Sequence, residues 1–379
     1  MSVAIGDLLP NDAISAVRKP LSEASLLPPM VYSSEAIFEL ERQRIFAREW
    51  LPVCHSSQLP ETGSYVARNL LGEPVVAVRD RAGQIQVYSN VCRHRNMRLT
   101  SGAGKCIGGR ITCPYHGWSY GLDGRLIAAP YMDQTADFRR ENQVLPRLRM
   151  ETWQGFVFVN FDGDAPSLLA RIGGLNDYVG PYRFDEMVAI EMKRLEVDWN
   201  WKVSLENFSE AYHQPCVHPE TAEAGFPAEG TTYYDNDGGP WSAFFIASKD
   251  RKPMKTISPA IQGMPAAHYI GASVFNIYPY FHALCDPGMA LWLNFDIKSS
   301  NRHELCWHIM MPRSSLKDEN RDELVRNITG FFDKVLAEDV SICRGVGAGT
   351  GAKLARAGRL SYMEKAVHQF HNWWLDQAA

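Results

Sequence analysis

Two short segments of the chain combine thiols with imidazoles at spacings suited to binding a metal. The stretch CRHRNMRLTSGAGKCIGGRITCPYHGW runs from Cys92 to Trp118 and places Cys92 and His94 ahead of Cys113 and His116. Thiolates and imidazoles serve both zinc and iron–sulfur sites, so the ligand types alone leave the metal open. The spacing is more informative, because zinc fingers pair Cys with Cys and His with His, whereas each short pair here is mixed.

A [2Fe–2S] cluster whose two irons have unlike ligands accounts for this mixed pairing. Cys92 and Cys113 would bind one iron, and His94 and His116 would bind the other. Two neutral imidazoles in place of two thiolates raise the reduction potential, which suits an electron relay. A zinc knuckle and a set of unrelated core residues are the alternatives to this interpretation.

A second pair of histidines lies further along the chain, in the segment ENFSEAYHQPCVHPE. His213 and His218 are five residues apart, which does not suit one face of a regular helix, so we expect a distorted helix or a helix-to-loop turn. Two imidazoles and one carboxylate form the facial triad of non-haem Fe(II) oxygenases, which leaves coordination positions open for O2. The histidine pair alone is a weak signal, and the third ligand has to come from elsewhere.

The C-x-H pattern followed by CPYHGW resembles the Rieske domain of the Rieske non-haem iron oxygenases, and the later histidine pair resembles their iron site. The resemblance implies an α+β fold, with an all-β Rieske [2Fe–2S] domain and a catalytic domain in which helices cover an antiparallel sheet. It also implies that an acid on a late helix completes the iron site. In VLAEDVSICRGV the matching residue is Asp339, and Gly347 stands where family members often have Gln. Glu338 is the neighbouring candidate, but adjacent helix positions point about 100° apart, so only one acid can serve.

The resemblance also gives roles to residues beside the histidine pair. In the family, an acid at the position of Glu210 bridges the Rieske histidine of one subunit to an iron-binding histidine of the next. A carboxylate that bridges two ligand N–H groups also fixes their tautomers. The resemblance therefore implies a head-to-tail homotrimer, and it places Asn207 and Tyr212 close around the iron ligands. A surface glutamate with no such role is the alternative for Glu210.

The activity implied by the resemblance is that of the terminal oxygenase in a multicomponent system. A ferredoxin and/or flavin reductase would pass electrons from NAD(P)H to the Rieske cluster, and mononuclear Fe(II) would activate O2 to attack a small organic substrate. The sequence has neither a Gly-rich dinucleotide fingerprint after a strand nor a flavin motif. We therefore expect the reductase to be a separate chain.

The motif around Glu210 indicates one branch of the family. Ring-dihydroxylating relatives usually have N-F-x-x-D-x-Y-H, whereas residues 207–213 read NFSEAYH, which is one residue shorter and has Glu in place of Asp. This form is more similar to the homotrimeric choline, glycine-betaine and carnitine oxygenases. Those enzymes hydroxylate a C–H near nitrogen or cleave the C–N bond. The resemblance therefore implies a monooxygenase that carries out oxidative N-dealkylation.

Two other functions remain open at this point. Aromatic ring hydroxylation, either mono- or cis-dihydroxylation, is the enzymatic alternative, and a Rieske electron carrier or zinc-stabilised binding protein is the non-enzymatic one. Aromatic faces can hold a quaternary ammonium by cation–π attraction or line a pocket for a neutral ring, although we expect most of those in this chain to be sheet core. The candidate aromatic residues are Phe226, Tyr233, Tyr234, Trp241, Phe244, Phe245, Tyr269, Phe275, Tyr278, Tyr280, Phe281 and Trp292.

The elements that must position these residues follow from the hydrophobic patterns. Residues 34–49 predict an amphipathic helix with Ser33 or Ser34 as its cap. Short β-type runs separated by Gly, Asn and Pro follow up to about Phe161. An aromatic-rich sheet is expected between about 226 and 312. Two helices are then expected, one from about Ser315 to Cys343 and one over SYMEKAVHQFHNWWLDQ.

Composition limits the class of protein. The 379 residues include 45% hydrophobic and 22% charged residues, and the net charge of −4 argues against a nucleic-acid partner. Eight cysteines are too few for a disulfide scaffold and fit a reducing cytoplasm. We expect no signal peptide and no membrane span. The predicted parts are an N-terminal segment, 1–49, that packs on the catalytic domain, a Rieske domain, 50–162, and a catalytic domain, 163–379.

Three further patterns carry less weight. The stretch GVGAGTGAK, residues 345–353, superficially resembles a phosphate-binding loop, but it follows a helix rather than a strand, so we expect a mobile loop. His368 and His371 are expected to be a solvated pair on the last helix. His303 and His308 fall in a predicted strand and turn without a carboxylate in a matching pattern.

Overall fold

The computed structural model describes residues 4–316, 319 and 321–379. The chain divides into two compact units. One unit is the continuous segment Trp50–Ala165, and the other combines the residues up to Glu49 with Pro166–Ala379. In sequence, the first unit is therefore an insertion within the second.

The unit Trp50–Ala165 is built from short antiparallel strands. The strands are β1 Leu51–His55, β2 Ser64–Leu70, β3 Glu73–Arg79, β4 Ile85–Ser89, β5 Ala103–Lys105, β6 Arg110–Thr112, β7 Ser119–Gly121, β8 Leu126–Ala128, β9 Arg149–Trp153 and β10 Phe156–Asn160. They form three sheets, in the orders β1-β10-β9, β4-β3-β2-β5 and β6-β7-β8. Alternating burial along β2 leaves one face for the core, where Val76, Tyr88 and Trp118 pack around Cys92 and Cys113. The prediction of an all-β region is confirmed.

The second unit is organised around one large antiparallel sheet. Its strands are β11 Met187–Val197, β12 Thr231–Tyr233, β13 Trp241–Ala247, β14 Gly271–Ile277, β15 Phe281–Cys285, β16 Ala290–Ser299 and β17 Arg302–Pro312. Over the described residues the strand order is β11-β17-β16-β15-β14-β13-β12. Strands β14, β15 and β16 are buried over most of their length because helices and loops cover the sheet. The predicted aromatic-rich sheet is confirmed, and with it the α+β class.

Helices of this unit come from both ends of the chain. They are α1 Ile5–Leu8, α2 Asn11–Val17, α3 Glu35–Glu41, α4 Leu168–Ile172, α5 Asn176–Val179, α6 Trp201–Asn207, α7 Gln214–Val217, α8 Ala222–Gly225, α9 Arg321–Thr350 and α10 Lys365–Ala378. Helix α3 begins after Ser34, whose hydroxyl accepts the Ile37 N–H, and a π-helical turn, Arg42–Phe46, follows it. The predicted N-terminal helix is thus confirmed, with an irregular second half. In the part of the chain that the structure describes, no helix is both long and apolar enough to cross a bilayer.

Helix α9 differs at both ends from the predicted helix, Ser315 to Cys343. It begins at Arg321, and Ser315 lies in a separate short 3-10 turn. Residues 317, 318 and 320 of the predicted helix lie outside the described residues. The helix then continues past Cys343 to Thr350.

The prediction of a mobile loop over 345–353 is wrong for residues 345–350, which belong to α9. Glycine in a helix interior costs about 1 kcal/mol relative to alanine, which is why the repeated glycines predict a loop. Tertiary packing overrides that preference here. A Cβ at Gly347 would lie 2.5 Å from Cβ of Trp199, so the absence of a side chain lets α9 approach the segment before α6.

The predicted solvated histidine pair on the last helix is also wrong. Helix α10 buries much of its surface, including Phe370, Trp373 and Trp374. His371 is fully buried, with Nε2 3.0 Å from Oε1 of Glu206, and His368 is partly buried. The helix has no fully solvated face, because it is covered from several sides.

Candidate functional site

The first ligand cluster lies on two loops with the same backbone hydrogen bonds. The N–H of each cysteine donates to the carbonyl five positions later, at 2.8 Å for Cys92 and 2.7 Å for Cys113. The N–H of the residue four positions later, Asn96 or Gly117, donates back to the cysteine carbonyl at 3.1 Å. Asn96 and Gly117 both have positive φ, 53° and 72°, which closes each loop tightly. The sequence folds into two equivalent ligand-bearing turns.

The four predicted ligands sort into an inner and an outer pair. The Cys92 and Cys113 side chains are buried, while His94 and His116 are exposed with ring centroids 4.7 Å apart. The His94 ring stacks on Trp118 at 4.9 Å and 7°, which fixes its plane. Trp118 therefore packs against one of the predicted ligands.

The chemistry of the donor set fits a metal cluster. Burial raises the pKa of the Cys113 thiol, and the neighbouring Cys92 thiol raises it further. Metals bind cysteine as the thiolate, and two adjacent buried thiolates are unfavourable unless a bound cation offsets their charge. Cys106 is also buried, and the donor set is complete without it.

The second cluster joins the predicted histidine pair to the late acid. His218 Nε2 lies 3.0 Å from Oδ1 of Asp339, and His213 Nε2 lies 3.6 Å from the same oxygen. One ligand atom from each of the three residues falls within 4.8 Å of the others. Asp339, rather than Glu338, therefore faces both imidazoles.

Local structure explains how two histidines five residues apart converge. His213 and His218 flank the single turn of α7, with Pro215 at its start, so neither lies inside a regular helix. Their ring centroids are 5.1 Å apart. The predicted helix-to-loop geometry is confirmed, and helix α9 supplies Asp339 from a distant part of the sequence.

Two further acids hold the outward nitrogens of these rings. His213 Nδ1 donates to Oε1 of Glu210 at 2.7 Å, and Oε2 of Glu210 accepts the His213 backbone N–H at 3.0 Å. His218 Nδ1 donates to Oε2 of Glu338 at 2.7 Å, and the Thr221 hydroxyl donates to the same oxygen at 2.8 Å. With Nδ1 committed to a carboxylate, Nε2 is the nitrogen left to bind a metal.

Titration behaviour agrees with a cation site. Burial alone lowers the pKa of His213, but the hydrogen bond to Glu210 and the charges of Glu210 and Asp339 raise it above its ordinary value. For His218, burial likewise lowers the pKa, and Asp339 and Glu338 together raise it. The surrounding acids thus favour positive charge at this point, and a bound divalent metal would supply that charge in place of protons. The residues fit a mononuclear metal.

Asn207 and Tyr212, the remaining predicted site residues, have different surroundings. Asn207 Nδ2 donates to Oδ1 of Asp339 at 2.9 Å, next to the cluster as expected. Tyr212 is 55% exposed and is not among the residues that line the neighbouring cavity. The role of Tyr212 beside the iron ligands stays a prediction. Sequence reasoning missed Thr221, and no pattern in the sequence singles it out.

A cavity opens beside the second cluster. Its volume is about 80 Å³, and on the same measure one water needs about 10–15 Å³, so it suits a small organic molecule. Its wall beyond the cluster is formed by Phe208, Gln214, Ala222, Phe244, Val274, His282, Leu284, Leu291, Trp307, Phe332, Val335 and Leu336. Among the described lining residues there is neither Lys nor Arg, and the acids are Glu210 and Asp339.

Of the twelve aromatic residues proposed from sequence, Phe244 lines this cavity. Phe275, Phe281 and Trp292 lie in the sheet core, in agreement with the expectation for most of the set. Phe208, Trp307 and Phe332 were missed, because the candidates were drawn from residues 226–292 and these three lie outside that range.

A third group of potential ligands lies on the sheet. No carboxylate stands in a matching sequence pattern with His308, but the register of β11 against β17 places Glu191 opposite it, with Cys306 nearby. Strand pairing joins residues that no sequence motif connects. Both carboxylate oxygens of Glu191 accept from Arg194 at 2.8 Å, which already neutralises the acid.

Comparison with known proteins matches both ligand clusters to described domains. Residues 49–139 match the Rieske [2Fe-2S] domain, and residues 184–379 match the ring hydroxylating alpha subunit (catalytic domain).

Individual relatives fall into two groups by name. The chain is 36% identical over 201 residues to the carnitine monooxygenase oxygenase subunit of Acinetobacter baumannii, covering 52% of this chain and 53% of the relative. It is 32% identical over 241 residues to the biphenyl 2,3-dioxygenase subunit alpha of Rhodococcus jostii, covering 58% of this chain and 52% of the relative. The chain thus spans about half the length of the curated relatives it matches.

The fold is also similar to a solved structure. A quaternary ammonium Rieske monooxygenase crystallised with an inhibitor superposes with a TM-score of 0.82 at 24% identity, covering 98% of this chain and 99% of that chain. Because the catalytic-domain family accounts for more than half of the residues, the chain belongs to the ring hydroxylating alpha subunits, with a Rieske [2Fe–2S] domain preceding its catalytic domain.

Proposed function

We propose that the chain is the terminal oxygenase of a multicomponent Rieske system. The observation that carries the proposal is the convergence of His213, His218 and Asp339 beside a cavity. A Rieske electron carrier or a zinc-stabilised binding protein would have no use for a second ligand set facing a cavity. Membership of the ring hydroxylating alpha subunits supports the same function.

Named residues would hold each cofactor. The buried thiols Cys92 and Cys113 and the exposed imidazoles His94 and His116 would hold the [2Fe–2S] cluster. His213, His218 and Asp339 would hold a mononuclear Fe(II). When bound, the iron would supply O2 activation and the cluster would supply electrons.

The protein groups around this centre orient its ligands. Glu210 and Glu338 retain the Nδ1 protons of the two histidines, so each Nε2 lone pair points toward Asp339. The Asn207 amide donates to Oδ1 of Asp339, which holds the carboxylate in one orientation. The apolar wall excludes water from the substrate beside it.

The contacts of Glu210 support the bridging role that the family resemblance implies. Its side chain is 12% exposed, and a carboxylate has about four acceptor positions, of which His213 uses two. An acceptor therefore remains for a histidine N–H of a neighbouring subunit in a homotrimer. Electrons would reach the cluster from NAD(P)H through a separate ferredoxin and/or flavin reductase.

The substrate class we propose is a small N-alkyl compound. Its N–CH3 or N–CH2 group would gain one oxygen atom from O2, with two electrons and two protons reducing the other atom to water. The resulting carbinolamine then releases an amine and an aldehyde. The 36% identity to a carnitine monooxygenase oxygenase subunit supports this class. Aromatic faces at Phe208, Phe244 and Trp307 would hold an N-alkyl group.

Ring hydroxylation is the second candidate, and the wall of the cavity favours it. The described lining residues include neither Lys nor Arg, so they offer no cationic side chain to bind a carboxylate group of a substrate. An uncharged aromatic ring fits such a wall better than a zwitterion does. The 32% identity to a biphenyl dioxygenase subunit agrees with this second candidate.

Substrate-stimulated O2 uptake distinguishes the two candidates. The full chain, loaded with iron and cluster, is supplied with NADH and a surrogate reductase, and panels of N-alkyl and aromatic compounds are tested with an aldehyde trap. We expect aldehyde in amounts that match the O2 consumed. Phenol or cis-diol without aldehyde would establish ring hydroxylation instead, and a protein without substrate-dependent uptake on either panel would contradict the oxygenase proposal.

A further inference from the structure

His282 lies in the mainly apolar wall of the cavity. Apart from His213, His218 and Asp339, the other described lining residues with an amide or carboxylate are Asn207, Glu210 and Gln214. His282 lies on β15, and its ring is 5.0 Å from that of Phe208, centroid to centroid. Its Nδ1 is 2.8 Å from Oδ1 of Asn276, a buried residue on β14. The polar atom that His282 can offer to the cavity is therefore its other ring nitrogen, Nε2.

A chain of hydrogen bonds determines which nitrogen of His282 carries the proton. The Ser209 hydroxyl donates its single proton to the Leu205 carbonyl at 2.6 Å, so its oxygen can only accept. The Asn276 amide nitrogen must then face Ser209, which it does at 3.1 Å. The amide oxygen of Asn276 consequently faces His282, and Nδ1 must be the donor. In a neutral imidazole this leaves Nε2 unprotonated.

The ring is uncharged at neutral pH. Burial lowers the pKa of His282 to about 3, and no carboxylate bonds to it among the described residues. The Asn276 amide also donates to the Ser242 hydroxyl at 3.1 Å, so the amide is held on both sides. His282 thus presents a fixed acceptor to the cavity.

We propose that His282 Nε2 accepts a hydrogen bond from the substrate, so that the site selects small molecules that carry an N–H or O–H group. This inference rests on the proposed function, because it assigns a substrate class to the same cavity. Within the N-alkyl class it favours secondary amines, such as N-methylanilines, over tertiary amines. Within the aromatic class it favours phenols over their methyl ethers.

The size of the effect follows from leaving a buried acceptor without a partner. A ligand without a donor removes water from Nε2 and gives nothing back. We therefore expect a donor-bearing ligand to bind about ten- to a hundredfold more tightly than its methylated partner.

Isothermal titration calorimetry on the metal-loaded full chain tests this preference without turnover. The ligand pairs are N-methylaniline with N,N-dimethylaniline, and phenol with anisole. Toluene with ethylbenzene adds a similar group without a donor and corrects for size. After that correction, the wild-type protein should prefer the donor member of both pairs by about ten- to a hundredfold.

The variant His282→Asn separates the acceptor from the rest of the wall. An Asn amide can still donate to Asn276 from the position of Nδ1, but it leaves nothing at the position of Nε2. The preference should then fall to within about twofold. Phe244→Leu is the matched control from the same cavity, and it should weaken both members of a pair while leaving their ratio unchanged.

Two results would overturn the inference: no size-corrected preference in the wild-type protein, or a preference that His282→Asn leaves intact. If the variant does not fold, the wild-type pairs decide alone. The calorimetry measures binding and not turnover, so the two proposals can fail separately. A clear donor preference without any O2 uptake would contradict the oxygenase proposal but support the acceptor role of His282. Substrate-dependent O2 uptake without a donor preference would support the oxygenase proposal and contradict the acceptor role of His282.

Discussion

The two histidines of the second cluster are held by acids from different parts of the chain. Glu210 lies three residues before His213, on the same turn, and contacts both its ring and its backbone N–H. Glu338 reaches His218 from helix α9, one position before Asp339. Helix α9 therefore contributes the proposed ligand Asp339 and, one position earlier, the acid that orients His218.

Replacing Glu338 should weaken metal binding. In Glu338→Ala, His218 loses the anionic acceptor that fixes its tautomer and raises its basicity, so iron affinity should fall about 10–100-fold. Competition with a chelator measures this affinity. Glu323→Ala, an exposed acid in the first turn of the same helix, is the control and should have no effect. Equal affinity in the Glu338 variant and the wild type would refute the orienting role.

Replacing Glu210 should separate metal binding from turnover. Glu210→Gln keeps an acceptor for His213 but removes the charge, so iron and acid-labile sulfide should stay at wild-type levels while turnover falls at least tenfold, on the order of a lost partner of a metal ligand. Metal analysis, sedimentation and O2 uptake measure these properties. Glu220→Gln, an exposed neighbour, is the control. Near-normal turnover would eliminate the bridging role of Glu210.

At this scale the sequence predicts residue types better than contacts. The spacing of Cys and His residues identifies ligand candidates, because loops keep their donors close in sequence. The hydrogen bonds of Thr221 and His282 escape such reasoning, since their partners lie on other elements. The donor of His282 depends on Asn276 and, through it, on Ser209.

At the scale of elements, the placement of Asp339 depends on how closely α9 approaches α6. Asn207 ends α6 and bonds Asp339, while Gly347, two turns further along α9, packs against Trp199 just before α6. A larger residue at 347 would push the helices apart. The glycine at a position where relatives often have Gln is thus explained by this contact, which sequence patterns alone do not reveal.

Gly347→Ala should destabilise the protein despite the helix preference of alanine. The added Cβ meets Trp199 at 2.5 Å, and overpacking of this kind costs about 1–3 kcal/mol. Gly345→Ala, two positions earlier on the same helix, meets nothing within 4 Å and should stabilise by up to about 1 kcal/mol. Thermal unfolding of the two variants compares them directly. Matching shifts of the same sign would contradict the proposed packing.

At the scale of the whole molecule, a buried ion pair ties the N-terminal segment to the catalytic unit. Glu41 of α3 and Lys202 of α6 are both 0% exposed, with Nζ 2.5 Å from Oε1. Glu41 also accepts from the indole N–H groups of Trp201 and Trp374, at 3.0 and 2.8 Å. Residues from three separate regions of the sequence thus satisfy one buried carboxylate, an arrangement that no local pattern predicts.

Removing the buried charge of Lys202 should lower the free energy of unfolding far more than removing a more exposed ion pair. Lys202→Met leaves Glu41 charged and buried, which should lower the free energy of unfolding by about 3–5 kcal/mol. Arg18→Met removes a largely exposed pair with Asp376, which joins the same segment to α10, and should cost less than about 1 kcal/mol. Urea unfolding measures both. Similar losses in the two variants would show that burial does not set the cost.

The inserted unit starts on strand β1 and finishes on strand β10, which are hydrogen-bonded neighbours, with Leu51 opposite Val159. A segment that leaves and returns side by side imposes no particular path on the chain around it. In genetic terms, the codons for residues 50–165 form one continuous segment, and the strands at its two ends lie side by side in the protein. Exchange of this segment between related genes needs one crossover at each end, and the Rieske part and the catalytic part of the gene can then diverge at different rates.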